Sequence, residues 1–188
     1  MKIAITGHTK GIGRAIAAKA QTLGHTIVGL SRSNGFDISD TEKVFNEIKK
    51  CDAFVNNAYM PVYQTKLLEL VLNNWKRNNL ATVINISSKL SYLEPPYRNL
   101  PADYIEDKKQ QNKLMHQFSI LGTPRILNVV LGIVDTDMTA HWNVEKMKTH
   151  AVADTIFNTL TMTNPLVQEI VFDVPYFNWK AVNTTKEQ

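Results

Sequence analysis

A chain of 188 residues with 44% apolar and 20% charged side chains has the size of a single globular domain, 1–188, with enough apolar material to bury a core. No run approaches the roughly 20 consecutive apolar residues of a membrane span, and 21 basic against 17 acidic side chains, scattered apart from Lys108, Lys109 and Lys113, make no nucleic-acid-binding patch. A lone Cys51 excludes an intrachain disulfide, five dispersed histidines offer no metal spacing, and Lys2-Ile3-Ala4-Ile5-Thr6 runs straight into a glycine turn unlike a secretory leader, so a cytoplasmic, metal-free protein without nucleic-acid or membrane partners is expected.

Short β-branched runs alternate with helical patterns along the chain. Strands are predicted at Lys2 to Thr6, Thr26 to Leu30, Asp52 to Asn56, Thr82 to Ser87, Arg125 to Leu131 and Glu169 to Asp173. Helices are predicted at Gly11 to Leu23, Asp40 to Lys50, Val62 to Arg77, Ala102 to Leu121 and Ala151 to Thr161. Between Leu30 and Asp40 no helix is expected, because Asn34-Gly35 marks a turn, and a very short seventh strand is placed at Phe36 to Ile38. The pattern predicts an α/β fold: a doubly wound parallel sheet, Rossmann-like, in three αβα layers.

Directly after the first strand comes Thr6-Gly7-His8-Thr9-Lys10-Gly11-Ile12-Gly13, followed by an apolar-periodic helix through Ile16, Ala17 and Ala20. Gly7 permits a sharp exit from the strand, Gly11 lets backbone approach a pyrophosphate, and Gly13 allows helix to pack closely on sheet, with the helix N-terminus facing the anion. The spacing differs from GxGxxG, and a ligand-free glycine turn is the alternative.

TGHTKGIG resembles the TGxxxGxG cofactor motif of the short-chain dehydrogenase/reductase family. Asn56-Asn57-Ala58-Tyr59 is similar to that family's NNAG, and Val83-Ile84-Asn85-Ile86-Ser87-Ser88 to its strand ending in the active-site serine. Tyr104-Ile105-Glu106-Asp107-Lys108 is similar to YxxxK, and Leu131-Gly132-Ile133-Val134-Asp135-Thr136-Asp137-Met138 to PGxVxTxM. Five motifs stand in family order. A second YxxxK, Tyr176 to Lys180, has no serine-bearing strand placed ahead of it.

The resemblance implies a nicotinamide dinucleotide held by Gly7, Lys10, Gly11, Ile12 and Gly13, with Asp37 and Ile38 beside the adenine, Asn56 and Ala58 lining the cofactor, and Thr136 on the carboxamide. Arg32 stands where an acidic residue would bind a free ribose 2′-hydroxyl, and its guanidinium, with Lys10 as a second cation, suits a 2′-phosphate, so NADP(H) is favoured over NAD(H). Lys108 lies one helical turn from Tyr104, where an ammonium favours the phenolate. Tyr104 is thus the expected acid/base and Ser88 the group that polarises a small-molecule carbonyl or alcohol, with Ser87 the fallback. Lys108 is expected to tune Tyr104 and to contact the nicotinamide ribose.

The alternatives are a cofactor-binding sensor or scaffold with weak or no catalysis, and an epimerase or dehydratase using bound cofactor. Three departures touch the site: Tyr59 replaces the last glycine of NNAG, Leu131 the proline of PG, and the region that carries a catalytic asparagine in the family is shortened. Gln64 or an asparagine elsewhere could substitute there, with neither assigned. His141 and Trp142, in a brief segment after Met138, could touch substrate, with an aromatic packing anchor the favoured role. A homodimer through the helices at Val62 to Arg77 and Ala102 to Leu121 is also expected.

Overall fold

A computed structural model describes residues 1–97, 100–164 and 166–174. The second YxxxK motif lies outside the described residues. Six parallel strands, β1 (Lys2–Thr6), β2 (Thr26–Leu30), β3 (Ala53–Asn56), β4 (Thr82–Ser88), β5 (Arg125–Leu131) and β6 (Glu169–Phe172), are ordered β2-β1-β3-β4-β5-β6. Five helices connect them: α1 (Gly11–Thr22), α2 (Thr41–Ile48), α3 (Tyr63–Trp75), α4 (Ala102–Leu121) and α5 (Thr149–Thr161).

Side-chain alternation divides each buried strand between two apolar layers. On one face Ile3 and Ile5 meet Ile16, Ala17 and Ala20 of α1 and Val152, Ala153 and Ile156 of α5. On the other, Ala4 and Phe54 meet Val44 and Ile48 of α2, Leu68 and Leu72 of α3, and Met115 of α4. The order of strands reverses between β1 and β3, and doubly wound sheets open their ligand crevice at that point, beyond the carboxyl ends of the strands.

The seventh strand predicted at Phe36 to Ile38 does not form. Arg32–Asn34 instead makes a single 3₁₀ turn ended by Gly35 in the left-handed region, φ 86°. Asp37 Oδ1 then accepts from the backbone N and Oγ of Ser39, each at 2.9 Å. This local closure satisfies the polar groups that a strand would have committed to a neighbour. Asp40 caps α2, its Oδ1 accepting from Lys43 N at 3.1 Å.

Candidate active site

The crevice is floored by the glycine turn. Gly7 and Gly11 have φ of 68° and 50°, where an L side chain is strained. Thr6 Oγ1 accepts from Asn57 N (3.0 Å) and Ala58 N (3.1 Å), and Asn57 Nδ2 donates to Thr6 O at 2.9 Å, so the exits of β1 and β3 are tied together where the strand order reverses. Gly13 fits beneath this seam: a Cβ there would stand 2.3 Å from Gly7 O and 2.6 Å from Asn57 Nδ2. Gly13→Ala is therefore expected to destabilise the fold by about 3 kcal/mol, because the obstacle is backbone and cannot turn aside. Urea unfolding measures it, and an unchanged midpoint would contradict this packing.

α1 begins without a side-chain cap: Lys10 occupies the N-cap with no side-chain bond to the first turn, which also lacks an acidic residue. The first N–H groups of a helix have no intrahelical partners, and a phosphate can supply the missing acceptors. Ile12 packs toward the α1/α5 layer, and Gly11 faces Thr136, whose Cγ2 would lie 3.3 Å from a Cβ at position 11. Lys10 pairs with exposed Asp137 at 3.6 Å. Arg32 is exposed just past β2. Asp37 has its carboxyl held below the ordinary range, first by the Ser39 hydrogen bonds and then by Arg32. Ile38 is buried in the core against α2.

β4 and α4 bring Ser88, Tyr104 and Lys108 together. Ser88 Oγ accepts from Leu90 N at 3.2 Å and lies close enough to the Tyr104 side chain to act on its phenol. Ser87 points elsewhere, its Oγ donating to Asn112 Oδ1 at 2.6 Å. Burial raises the Tyr104 phenol above its ordinary value, and the opposing pull comes from Ser88.

Lys108 itself is 3% exposed, and burial brings its ammonium down to about 7. Its Nζ donates to Gln64 Oε1 (2.9 Å), Ile86 O (2.8 Å) and Gln111 Oε1 (3.2 Å). Gln64 is buried as well, its Nε2 donating to Asn56 O at 3.1 Å. It is Gln64, and no asparagine, that meets the lysine from the helix before the serine strand.

Asn56 corrects another expectation. Its side chain is fully buried and donates to Asn85 Oδ1 at 2.9 Å, while Asn85 donates to Asn128 Oδ1 at 3.0 Å, forming a row across β3, β4 and β5. Such a side chain braces the strand ends and cannot line the crevice. Asn57 and Ala58 stand at the mouth in its place, Ala58 Cβ lying 3.1 Å from where a Cβ of Gly7 would be. At the far side Asp173 Oδ1 accepts from Ile133 N at 3.2 Å, and Oδ2 pairs with Lys89 at 3.2 Å, joining the turns that follow Ser88 and Leu131. Neither the asparagine row nor Asp173 was anticipated. The signal for the row was three asparagines recurring in otherwise apolar strands.

Trp142 packs with Leu90, Leu100 and Ile105, which makes it a packing anchor. Beside it lies a cavity of about 350 Å³ lined by Asp135, His141, Trp142, Lys146 and Lys148 among others. Among the described residues no cluster of His, Cys, Asp or Glu could hold a metal ion, and no helix is long and apolar enough to cross a membrane.

No family model matches the chain, and no curated protein matches it in sequence. Solved structures do match in fold. A 3-alpha-hydroxysteroid dehydrogenase from Pseudomonas sp. B-0831, complexed with NADH, superposes with TM-score 0.72 at 17% identity, covering 92% of this chain and 95% of the other. An alcohol dehydrogenase from the archaeon Thermococcus sibiricus, complexed with 5-hydroxy-NADP, gives 0.73 at 18% identity, covering 95% and 98%. A short-chain dehydrogenase from Streptomyces avermitilis gives 0.72 at 18% identity, covering 91% and 88%. The fold is that of the short-chain dehydrogenases.

Proposed function

We propose that the chain is a short-chain dehydrogenase/reductase that binds NADP(H) and interconverts a small-molecule carbonyl and its alcohol. The observation that carries this reading is the gathering of Ser88, Tyr104 and Lys108 where β4 ends and α4 packs on it, in a fold whose crevice is floored by a glycine turn. Gly7, Gly11, the uncapped N-terminus of α1 and the exposed Arg32 suit the phosphates of a dinucleotide, and Gly13 leaves the close approach that such a turn requires. A nicotinamide supplies hydride exchange when bound.

The protein's own contribution lies at the substrate oxygen. A phenol raised by burial keeps its proton at neutral pH, so Tyr104 stands ready as a general acid toward a carbonyl oxygen. Ser88 Oγ donates a second hydrogen bond to that oxygen and stabilises the negative charge that builds there. In the opposite direction the ionised Tyr104 would take the alcohol proton.

Titration of the full chain with NADPH and NADH, followed by nucleotide fluorescence, tests the cofactor. NADPH is expected to bind about tenfold more tightly, and Arg32→Ala to erase that preference, as loss of a charge-assisted contact of about 1.5 kcal/mol or more implies. Failure of both nucleotides to bind would end the oxidoreductase reading. A second reading, a nucleotide-binding sensor without turnover, gains support from the burial of Lys108, and Tyr104-dependent turnover of any carbonyl would exclude it.

A further inference from the structure

An ammonium has three protons to donate, and Lys108 directs all three inward, to Gln64, Ile86 and Gln111. Two aromatic rings lie near the same nitrogen, the centroid of Tyr104 at 5.5 Å and that of Tyr59 at 5.8 Å. The rings meet edge to face, with centroids 4.8 Å apart and planes at 74°. Lys108 is therefore enclosed while Tyr59 and Tyr104 remain partly exposed over it.

Tyr59 is held over the lysine by its surroundings. Burial first, with the Asp107 charge beside it, raises its phenol to about 12. Asp107 Oδ2 accepts from Val62 N at 2.9 Å. Val62 has φ of 58°, a conformation that is strained for a β-branched residue and persists where the fold over-determines it. The segment is also anchored at its start, since Ala58 packs against the glycine turn. Residue 59 thus stands between that turn and Tyr104.

We propose that the ring of Tyr59 seals Lys108 from the crevice, and that Tyr59, in place of Lys108, is a binding surface for the nucleotide. The nucleotide clause rests on the function proposed above; the seal does not. The assignment reverses the ribose contact that the YxxxK resemblance implied for Lys108.

Pulse acetylation of the full chain with a sulfonated N-hydroxysuccinimide acetate, read by peptide mass spectrometry, tests both clauses. The pulse is run at about pH 8 and again at about pH 10, where a larger share of any lysine is the neutral, nucleophilic amine, so slow reaction of Lys108 at both reports enclosure and not charge. Lys108 is expected to react at least about tenfold more slowly than exposed Lys113, with or without NADPH. Tyr59→Gly should raise the Lys108 rate about tenfold and weaken NADPH binding about fivefold, the equivalent of one aromatic contact. Tyr59→Phe, which keeps the ring, should leave Lys108 protected.

Equal reactivity of Lys108 and Lys113 in the unaltered protein would overturn the seal, as would a Lys108 rate unchanged by Tyr59→Gly. Opening in Tyr59→Phe as great as in Tyr59→Gly would overturn the ring as its cause. Slowing of Lys108 by NADPH would restore the lysine as a nucleotide ligand and overturn the proposal. Unchanged or tighter NADPH binding in Tyr59→Gly would overturn the binding-surface clause. Absence of NADPH and NADH binding to the unaltered protein would instead sink the nicotinamide reading together with that clause, and the acetylation rates alone would then decide the seal.

Discussion

Tyr104→Phe is expected to lower carbonyl turnover by about 10²–10⁴-fold while leaving nucleotide affinity and the fold nearly unchanged. The substitution deletes one oxygen and keeps the ring against Tyr59 and the cluster of Leu90, Leu100 and Ile105. Its structural effect is confined to the loss of the buried hydroxyl and its interaction with Ser88, about 1 kcal/mol at most. Its chemical effect is the loss of the acid at the substrate oxygen. Because burial raises this phenol, reduction by the unaltered protein should hold a plateau through neutral pH and fall only on the alkaline side, as Tyr104 loses its proton. A steady-state screen of carbonyl substrates at several pH values, with nucleotide affinity measured on the same samples, separates the two effects. Full turnover in the variant would remove Tyr104 from the acid/base role, and a loss of nucleotide affinity equal to the loss of turnover would assign Tyr104 to binding instead of chemistry.

Much of this architecture was legible because it obeys a simple period. The run at β5, Arg125 to Leu131, matches its predicted bounds, and α4 begins at Ala102 and ends at Leu121 as predicted, before Gly122 turns left-handed. The stretch at Phe36 to Ile38 failed for a local reason. Three alternating residues mimic a strand, but Asp37 satisfies Ser39 within its own turn, and this short-range bond wins over pairing with a distant neighbour. Spacing placed Tyr104 and Lys108 on one helix face without saying what that face would meet. Gln64 is 44 residues from Lys108, and Tyr59 reaches the lysine only through the packing of β3, α3 and α4. The same limit explains Asn56: ending a strand in a binding motif suggested the crevice, whereas the alternation of side chains turned it inward to Asn85.

Lys108 should also leave a signature in stability that needs no substrate. Its folded-state pKa of about 7 lies below the 10.5 of an ordinary lysine. Between those values the unfolded chain holds a proton that the folded chain has given up, so the stability contributed by this group rises with pH, by up to ~1.4 kcal/mol per pH unit. Below about 7 both states are charged and the cost of burying the ammonium is fully present; above about 10.5 both are neutral and the cost is gone. Urea unfolding of the unaltered protein and of Lys108→Met, from about pH 6 to pH 10, isolates the effect, since the alkaline ionisation of Tyr59 and Tyr104 is common to both proteins. The unaltered protein is expected to gain on the variant steadily from about pH 7 upward. Parallel curves would mean that Gln64, Ile86 and Gln111 hold Lys108 charged throughout, so that three neutral acceptors suffice to offset its burial.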